Sequence, residues 1–336
     1  MHLVSISIII PVYNVEPYIT KCLQSVMRQT YNGPVECILV DDCGQDKSIE
    51  VAQRLIDDYT GSVGFKILHH KQNRGLAASR NTGTLAATGD YFYYLDSDDY
   101  LVDDCLEVLA APLLENDYDM VMGDCKLTSN PYNIQYLCND TGPIIGNESI
   151  FREFFAERTL YMMAWNKLFK ASLFKEHDLQ FLEGQIHEDD LWTYKTALCL
   201  ESLYVQNVVT YIYRIRPDSI TSDYHSHTKL RLSSWMATVD YVLSHPANVR
   251  KEYYDKCVVY DFGKMVRFIL HDKDCHRNEY VALRRRFDYH PVKLFIKGRM
   301  NAKTFMEQLH FALSPHTGYS YLVLRKIGRR FFKAQG

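Results

Sequence analysis

Residues 5–13 read SISIIIPVY, a β-branched apolar run interrupted only by serine and proline. The run does not alternate, so it suits a strand buried on both faces rather than one with a wet side. Such a strand needs helices above and below it, and the following residues supply them. Asn14 and Pro17 carry helix-start chemistry, and Ile19, Cys22, Leu23, Val26 and Met27 fall on one helical face. Gly33 and Pro34 break that pattern, and residues 35–40 (VECILV) read as a second strand. Asp46 is placed to cap a helix bearing Ile49, Ala52, Leu55, Ile56 and Tyr59. A third strand over 65–68, a small-residue helix over 76–87 and a fourth strand over 91–95 continue the rhythm. Strands and helices alternating at this spacing predict right-handed crossovers and a mainly parallel α/β sheet.

The rhythm changes after Asp124. Residues 129–146, rich in Asn, Pro, Asp, Thr and Gly, read as a long connection. A helix around 150–155, another near Asp189 and a strand pair at Leu203 and 208–215 follow. Beyond Thr228 the chain reads as mostly helical, over 230–243, 253–270 and 302–313. The expected organisation is an α/β core over 1–125, a further part of the same fold over 126–225, and a helical C-terminal region over 226–336.

Composition narrows the function classes. The 336 residues are 47% hydrophobic and 24% charged, with a formal net charge of −3, which argues against nucleic acid as a partner. Nine scattered cysteines without a Cys-x-x-Cys pair point to neither a zinc site nor a disulfide framework, and fit a reducing compartment. The N-terminus shows no secretory signal pattern and no stretch reaches the ~20 apolar residues of a membrane span, so a cytoplasmic location is expected.

In open parallel sheets, ligands bind beyond the carboxyl ends of the strands. Polar residues gather there three times, as Pro11-Val12-Tyr13-Asn14, as Asp41-Asp42 and as Asp96-Ser97-Asp98-Asp99. Three carboxylates within four residues repel one another unless a cation neutralises them, and Mg²⁺ or Mn²⁺ suits such a set when phosphate oxygens complete its shell. The competing reading is a solvated acidic loop or a helix cap. Asp41-Asp42 can accept hydrogen bonds from a base or ribose, or simply make a turn, and Tyr13 can pack on a base. No Gly-x-Gly-x-x-Gly and no P-loop is present, which argues against dinucleotide and P-loop sites.

Taken together, ISIIIPVYN, ILVDDCGQDKS, NRGLAASRNTG and GDYFYYLDSDD resemble the donor domain of glycosyltransferase family 2. The resemblance is firm over about the first hundred residues, looser to Thr221, and absent after that. It implies a GT-A fold, a nucleotide-diphosphate sugar as donor and inversion at the anomeric carbon. It places Pro11, Tyr13 and Asn14 against the nucleotide, Asp42 on the base with Asp41 beside it, and Arg80 toward the nucleotide or its phosphates. A helix-surface salt bridge is the other reading of Arg80. Asp96, Ser97 and Asp98 match the Asp-x-Asp element, with Asp98 or Asp99 as direct metal ligand. Cys43 departs from the family, which often has Gly there.

Downstream, HEDDLW matches the family's base element, with Asp189 as catalytic base beside Glu188. An acceptor hydroxyl must lose its proton as it attacks, and a nearby carboxylate can take it. The alternative is that these acids only begin a helix. On the acceptor and phosphate side the resemblance implicates Lys167 and Arg214. His225, which alternates with His227, is a candidate to complete a metal shell. Residues 319–333 interleave apolar and basic residues and can lie on an anionic membrane surface, which would suit a lipid-linked acceptor. The expected activity is inverting transfer from a UDP-sugar, with Mn²⁺ or Mg²⁺, to a saccharide or lipid-linked saccharide in cell-surface polysaccharide synthesis. The competing readings are a nucleotidyltransferase of similar fold and a non-catalytic sugar-nucleotide-binding subunit.

Overall fold

The computed structural model describes residues 3–128, 140–216, 228–269, 277–296, 300, 302–314, 318 and 322. Those up to 216, with 248–250, form one compact unit, and those over 228–247 and from 251 onward form a second.

The first unit opens with β1 (Ile6–Val12), α1 (Glu16–Met27), β2 (Val35–Asp41), α2 (Ser48–Asp57), β3 (Gly64–His69), α3 (Leu76–Ala86) and β4 (Tyr91–Tyr94). It continues through β5 (Tyr100–Leu101), α4 (Cys105–Ala110), β6 (Met120–Leu127), β7 (Gly142–Ile145), α5 (Asn147–Phe151), β8 (Lys167–Lys170), α6 (Ala171–His177), α7 (Glu188–Ala197) and β9 (Ser202–Tyr213). The strands form one sheet in the order β3-β2-β1-β4-β8-β6-β9-β5, with β7 on β9. Its first four strands are parallel, as the alternation predicts. Beyond β4 the sheet is mixed, because β8 runs antiparallel to both β4 and β6 while β6 and β9 are parallel. Apolar runs report burial on both faces but not the direction of a neighbouring strand.

All seven residues of β1 are buried, and Ile8, Ile9 and Ile10 have no exposed surface. Each such side chain contributes about 1.5–3 kcal/mol relative to an exposed one. Helix α3 reaches β1 closely because it is made of small residues: a Cβ at Gly83 would stand 2.4 Å from Ile9 Cγ2 and 3.3 Å from Val40 Cγ2. That approach sets how deeply α3, and with it Arg80, seats on the sheet.

Several local expectations change. Asn14 does not cap α1; its Oδ1 accepts the Gln45 N–H at 2.7 Å, joining the β1–α1 and β2–α2 loops. Asp46 accepts the N–H of Ser48 at 3.0 Å and that of Glu16 at 2.8 Å, so one carboxylate serves the first residues of both α2 and α1. The expected strand pair at 203 and 208–215 is one strand, β9, whose register against β6 shifts between Met122 and Cys125. The expected helix at 150–155 is α5 followed by a π-helical turn, Arg152–Glu157. Part of the expected long connection is β7, and residues 129–139 lie outside the described residues.

The second unit is helical, with α8 (Thr228–Ser244), α9 (Lys251–Ile269), α10 (Arg277–Arg285), α11 (Pro291–Ile296) and α12 (Ala302–Gln308). Phe262 packs against Tyr280, Phe287 and Phe311 at centroid distances of 5.5 to 6.3 Å. His225, and residues 319–333 apart from Leu322, lie outside the described residues. No disulfide joins the seven described cysteines. No helix among the described residues is long and apolar enough to cross a membrane.

Gly83→Ala should lower the unfolding midpoint in urea. Alanine favours a helix by about 1 kcal/mol, but the added Cβ meets a buried β-branched neighbour, and overpacking costs about 1–3 kcal/mol. An unchanged or higher midpoint would show that α3 does not pack on β1 this closely.

Candidate functional site

Strand register brings the polar ends together. Val12 pairs with Asp41 and Ile9 with Tyr94, so the residues after β1, β2 and β4 emerge along one edge. Pro11 is buried there, whereas Tyr13 is 45% exposed and its ring is available to a ligand. Asp41 Oδ1 accepts the N–H groups of Cys43 and Gly44 at 3.1 and 3.3 Å, and Oδ2 lies 2.9 Å from His69 Nδ1. Cys43, the departure from the family pattern, adopts φ 61°, a conformation that glycine tolerates best.

The neighbouring Asp42 is buried. Oδ1 pairs with His70 Nδ1 at 2.7 Å and accepts the Arg74 N–H at 2.8 Å, while Oδ2 accepts the Gly75 N–H at 2.7 Å. Its carboxylate thus shapes the turn into α3, where Gly75 has φ 87°.

Arg80, one turn further along α3, is 1% exposed, which removes the surface-salt-bridge reading. Its Nη1 donates to Glu188 Oε1 and Asp189 Oδ1, both at 2.8 Å, and its Nη2 to Asp96 Oδ1 at 2.9 Å. One guanidinium therefore joins the acidic turn after β4 to the start of α7, a sequence separation of 108 residues from Arg80 to Glu188. Asp96 and Asp189 keep 23% and 20% of their side chains exposed, whereas Glu188 keeps 6%.

The rest of the acidic turn divides. Asp98 Oδ2 faces Arg216 Nε at 2.7 Å, an ion pair rather than an aligned hydrogen bond. Asp99 points inward, accepting the Tyr211 O–H at 2.7 Å and the Arg214 N–H at 2.6 Å. Ser97, between Asp96 and Asp98 in sequence, is buried. The guanidinium of Arg214 lies over Tyr18 and Tyr100, at 4.9 and 5.6 Å from their centroids, and that of Arg216 over Tyr18 at 5.6 Å. Lys167 is buried on β8, and its ammonium donates to the carbonyls of Tyr161 (3.1 Å) and Met163, not to an open cleft.

These positions perturb the acids. Burial, reinforced by the Asp189 charge, pushes Glu188 up to about 7, against the pull of Arg80. Burial also raises Asp189, with Arg80 opposing. Asp98 rises through burial and the nearby Asp96, and Asp99 reaches about 8 through burial and the charges of Asp98 and Asp96. Burial alone would weaken the charge on Arg80, but Asp189, Asp96 and Glu188 outweigh it.

No sequence pattern marks His70 or Tyr211 as a site residue. Tyr211 lies in a stretch that reads as strand and Arg216 just beyond it, but which residue meets Asp99 or Asp98 depends on the β5–β9 pairing. His225 lies outside the described residues.

A carboxyl with a raised folded-state pKa stabilises below its unfolded value and loses that contribution as pH rises through the folded one. Relative to Glu188→Gln, the wild-type protein should therefore lose stability between pH 4.5 and about 7. Parallel urea midpoints for the two proteins at pH 5, 6 and 7 would contradict this.

Comparison with known proteins places this geometry. The family profile "Glycosyl transferase family 2" matches residues 7–178. Glycosyltransferase GlyA of Streptococcus pneumoniae serotype 4 is 33% identical over 225 residues, which is 64% of this chain and 31% of GlyA. The uncharacterized glycosyltransferase EpsJ of Bacillus subtilis is 31% identical over 220 residues, 64% of this chain and 62% of EpsJ. The chain thus matches less than two thirds of the length of either relative. Among solved structures, Staphylococcus aureus TarS 1–349 in complex with UDP-GlcNAc aligns with a TM-score of 0.73 at 19% identity, covering 95% of this chain and 90% of that one. Mannosyltransferase PcManGT from Pyrobaculum calidifontis, with GDP-Man and Mn²⁺, aligns at 0.55 and 16% identity, over 95% and 84%. The first match shows the GT-A type of fold. With its profile spanning half the chain and its acidic strand ends in register, the protein belongs to glycosyl transferase family 2.

Proposed function

We propose that the protein transfers a sugar from a UDP-sugar to a hydroxyl of a cell-surface polysaccharide or its lipid-linked precursor, with inversion. The observation that carries this reading is the Arg80 cluster, which sets the Asp-x-Asp turn and the Glu188–Asp189 pair around one buried guanidinium.

The charge balance favours a cation. Among the described residues, Asp96, Asp98, Glu188 and Asp189 pair with the guanidinium groups of Arg80 and Arg216, and an anionic diphosphate would meet repulsion there without further positive charge. Among the described residues no three His, Cys, Asp or Glu side chains form a ready-made metal cage. The partly exposed Asp96 and Asp98 instead fit Mn²⁺ or Mg²⁺, which take one or two carboxylates and complete their shell with diphosphate oxygens and water. When bound, the cation neutralises the charge that develops on the leaving diphosphate. The Mn²⁺ in PcManGT and the UDP-GlcNAc in TarS support the choice of cofactor class and donor.

The chain's own residues divide the remaining work. Tyr13 offers a ring face to the base, with Pro11, Asn14 and Asp41 beside it, and Asp42 acts by holding the Arg74–Gly75 turn. Asp189 takes the proton of the attacking acceptor hydroxyl, oriented by Arg80 from behind. A single displacement assisted by one base inverts the anomeric centre. Arg214 lies on the Tyr18 and Tyr100 rings near the diphosphate end, and Lys167 contributes its positive field to Asp189 without touching substrate. The enzyme works in the cytoplasm, with residues 319–333 as its contact to the membrane.

Calorimetry of UDP binding and an assay of UDP-sugar turnover test the assignment. Asp98→Ala should weaken Mn²⁺-dependent UDP binding at least roughly tenfold, and Asp189→Asn should bind UDP normally while losing about 10²–10⁴-fold in transfer. Undiminished UDP affinity in the first variant, or undiminished turnover in the second, would count against it.

A further inference from the structure

The hydroxyl of Tyr211 touches both ends of the acidic turn. It donates to Asp99 Oδ2 at 2.7 Å and accepts the Asp96 N–H at 3.3 Å. The second oxygen of Asp99 accepts the Arg214 N–H at 2.6 Å, two residues past the β5–β9 pairing of Tyr100 with Ile212. Asp99 is 1% exposed, and both its oxygens are committed to β9 and the residue just beyond it. Asp96 and Asp98, by contrast, keep exposed side-chain surface. The Tyr211 ring is itself held: it stacks on Trp165 at 4.5 Å and 12°, and Trp165 stacks on Tyr161 at 5.2 Å. No exposed surface remains on Tyr211.

We infer that Asp99 and Tyr211 form a positioning pair: Asp99 is the peg that docks the acidic turn on β9, not a ligand of the cation, and Tyr211 sets the spacing of Asp96 and Asp98. The physical ground is preorganisation. Asp96 and Asp98 repel each other, so a turn free to open would spread them and lose its hold on a divalent ion. Fixing the Asp96 N–H and the Asp99 carboxylate to one rigid, stacked phenol prevents that opening. The inference rests on the reading that the Asp96–Asp98 turn holds the donor.

The experiment is a double-mutant cycle read by UDP calorimetry across a Mn²⁺ series, with thermal midpoints for each variant. Tyr211→Phe keeps the ring and its stacking but removes the hydroxyl, and Asp99→Asn keeps the shape but replaces one acceptor oxygen with an N–H donor. Each should raise the Mn²⁺ concentration for half-maximal UDP binding about tenfold or more, while affinity at saturating Mn²⁺ stays within about twofold of wild type. The double variant should be no worse than the worse single one, because both act through one contact. Three outcomes would overturn the inference. Tyr211→Phe could behave as wild type while Asp99→Asn matches Asp98→Ala, which would make Asp99 a ligand. The two losses could add. Both variants could lower the thermal midpoint without moving the Mn²⁺ dependence. Should wild-type UDP binding ignore Mn²⁺, the cation reading above fails by itself. The same cycle on UDP affinity then decides the pair: a shared, non-additive loss retains it, and additive or absent losses end it.

Discussion

A guanidinium withdrawn from water is tolerated in a protein only when carboxylates replace its hydration, and the site is organised by that requirement. Arg80 is buried in the sheet-facing side of α3, and Asp96, Glu188 and Asp189 each lie within hydrogen-bond distance of it. Neither side of the cluster is stable alone. Without Arg80, burial would drive Glu188 and Asp189 toward their protonated forms; without the acids, Arg80 would be an uncompensated buried cation. The mutual need holds Asp96, after β4, and Asp189, at the start of α7, on one guanidinium.

The sheet makes this meeting possible. Parallel strands β1, β2 and β4 deliver their following loops to one edge, and β8, running antiparallel beside β4, lets the chain return so that α7 starts near the same edge. Strand β9 then closes the acidic turn from the other side through β5. Close packing of α3 on β1, permitted by Gly83, brings Arg80 within reach. A single displaced layer would separate the partners.

Much of the fold was legible along the chain. The alternation of two-faced apolar runs with amphipathic helices located the first four strands and three helices to within a residue or two at most boundaries, because strand and helix periods are local properties. Asp96, Asp98 and Asp189 were singled out as chemical groups, and the structure does gather Asp96 and Asp189 around Arg80. Other readings depended on partners far along the chain. Lys167, implicated by the resemblance on the acceptor and phosphate side, is buried on backbone carbonyls, and Asn14, which carries helix-start chemistry, bridges two loops. Asp42 looked like a direct nucleotide contact, and its oxygens hold His70, Arg74 and Gly75.

The amino-acid order by itself determined the α/β class, the helical C-terminal region and the inventory of acids at the strand ends. Burial, periodicity and turn chemistry act over a few residues and leave their mark in any short window. Only the tertiary structure decided which acid faces which cation, that β8 reverses the sheet's direction, and that Asp99 turns inward while Asp98 meets Arg216. Those outcomes follow from hydrogen bonds and ion pairs between residues up to 118 positions apart (Asp98 to Arg216), a separation over which no local pattern carries information.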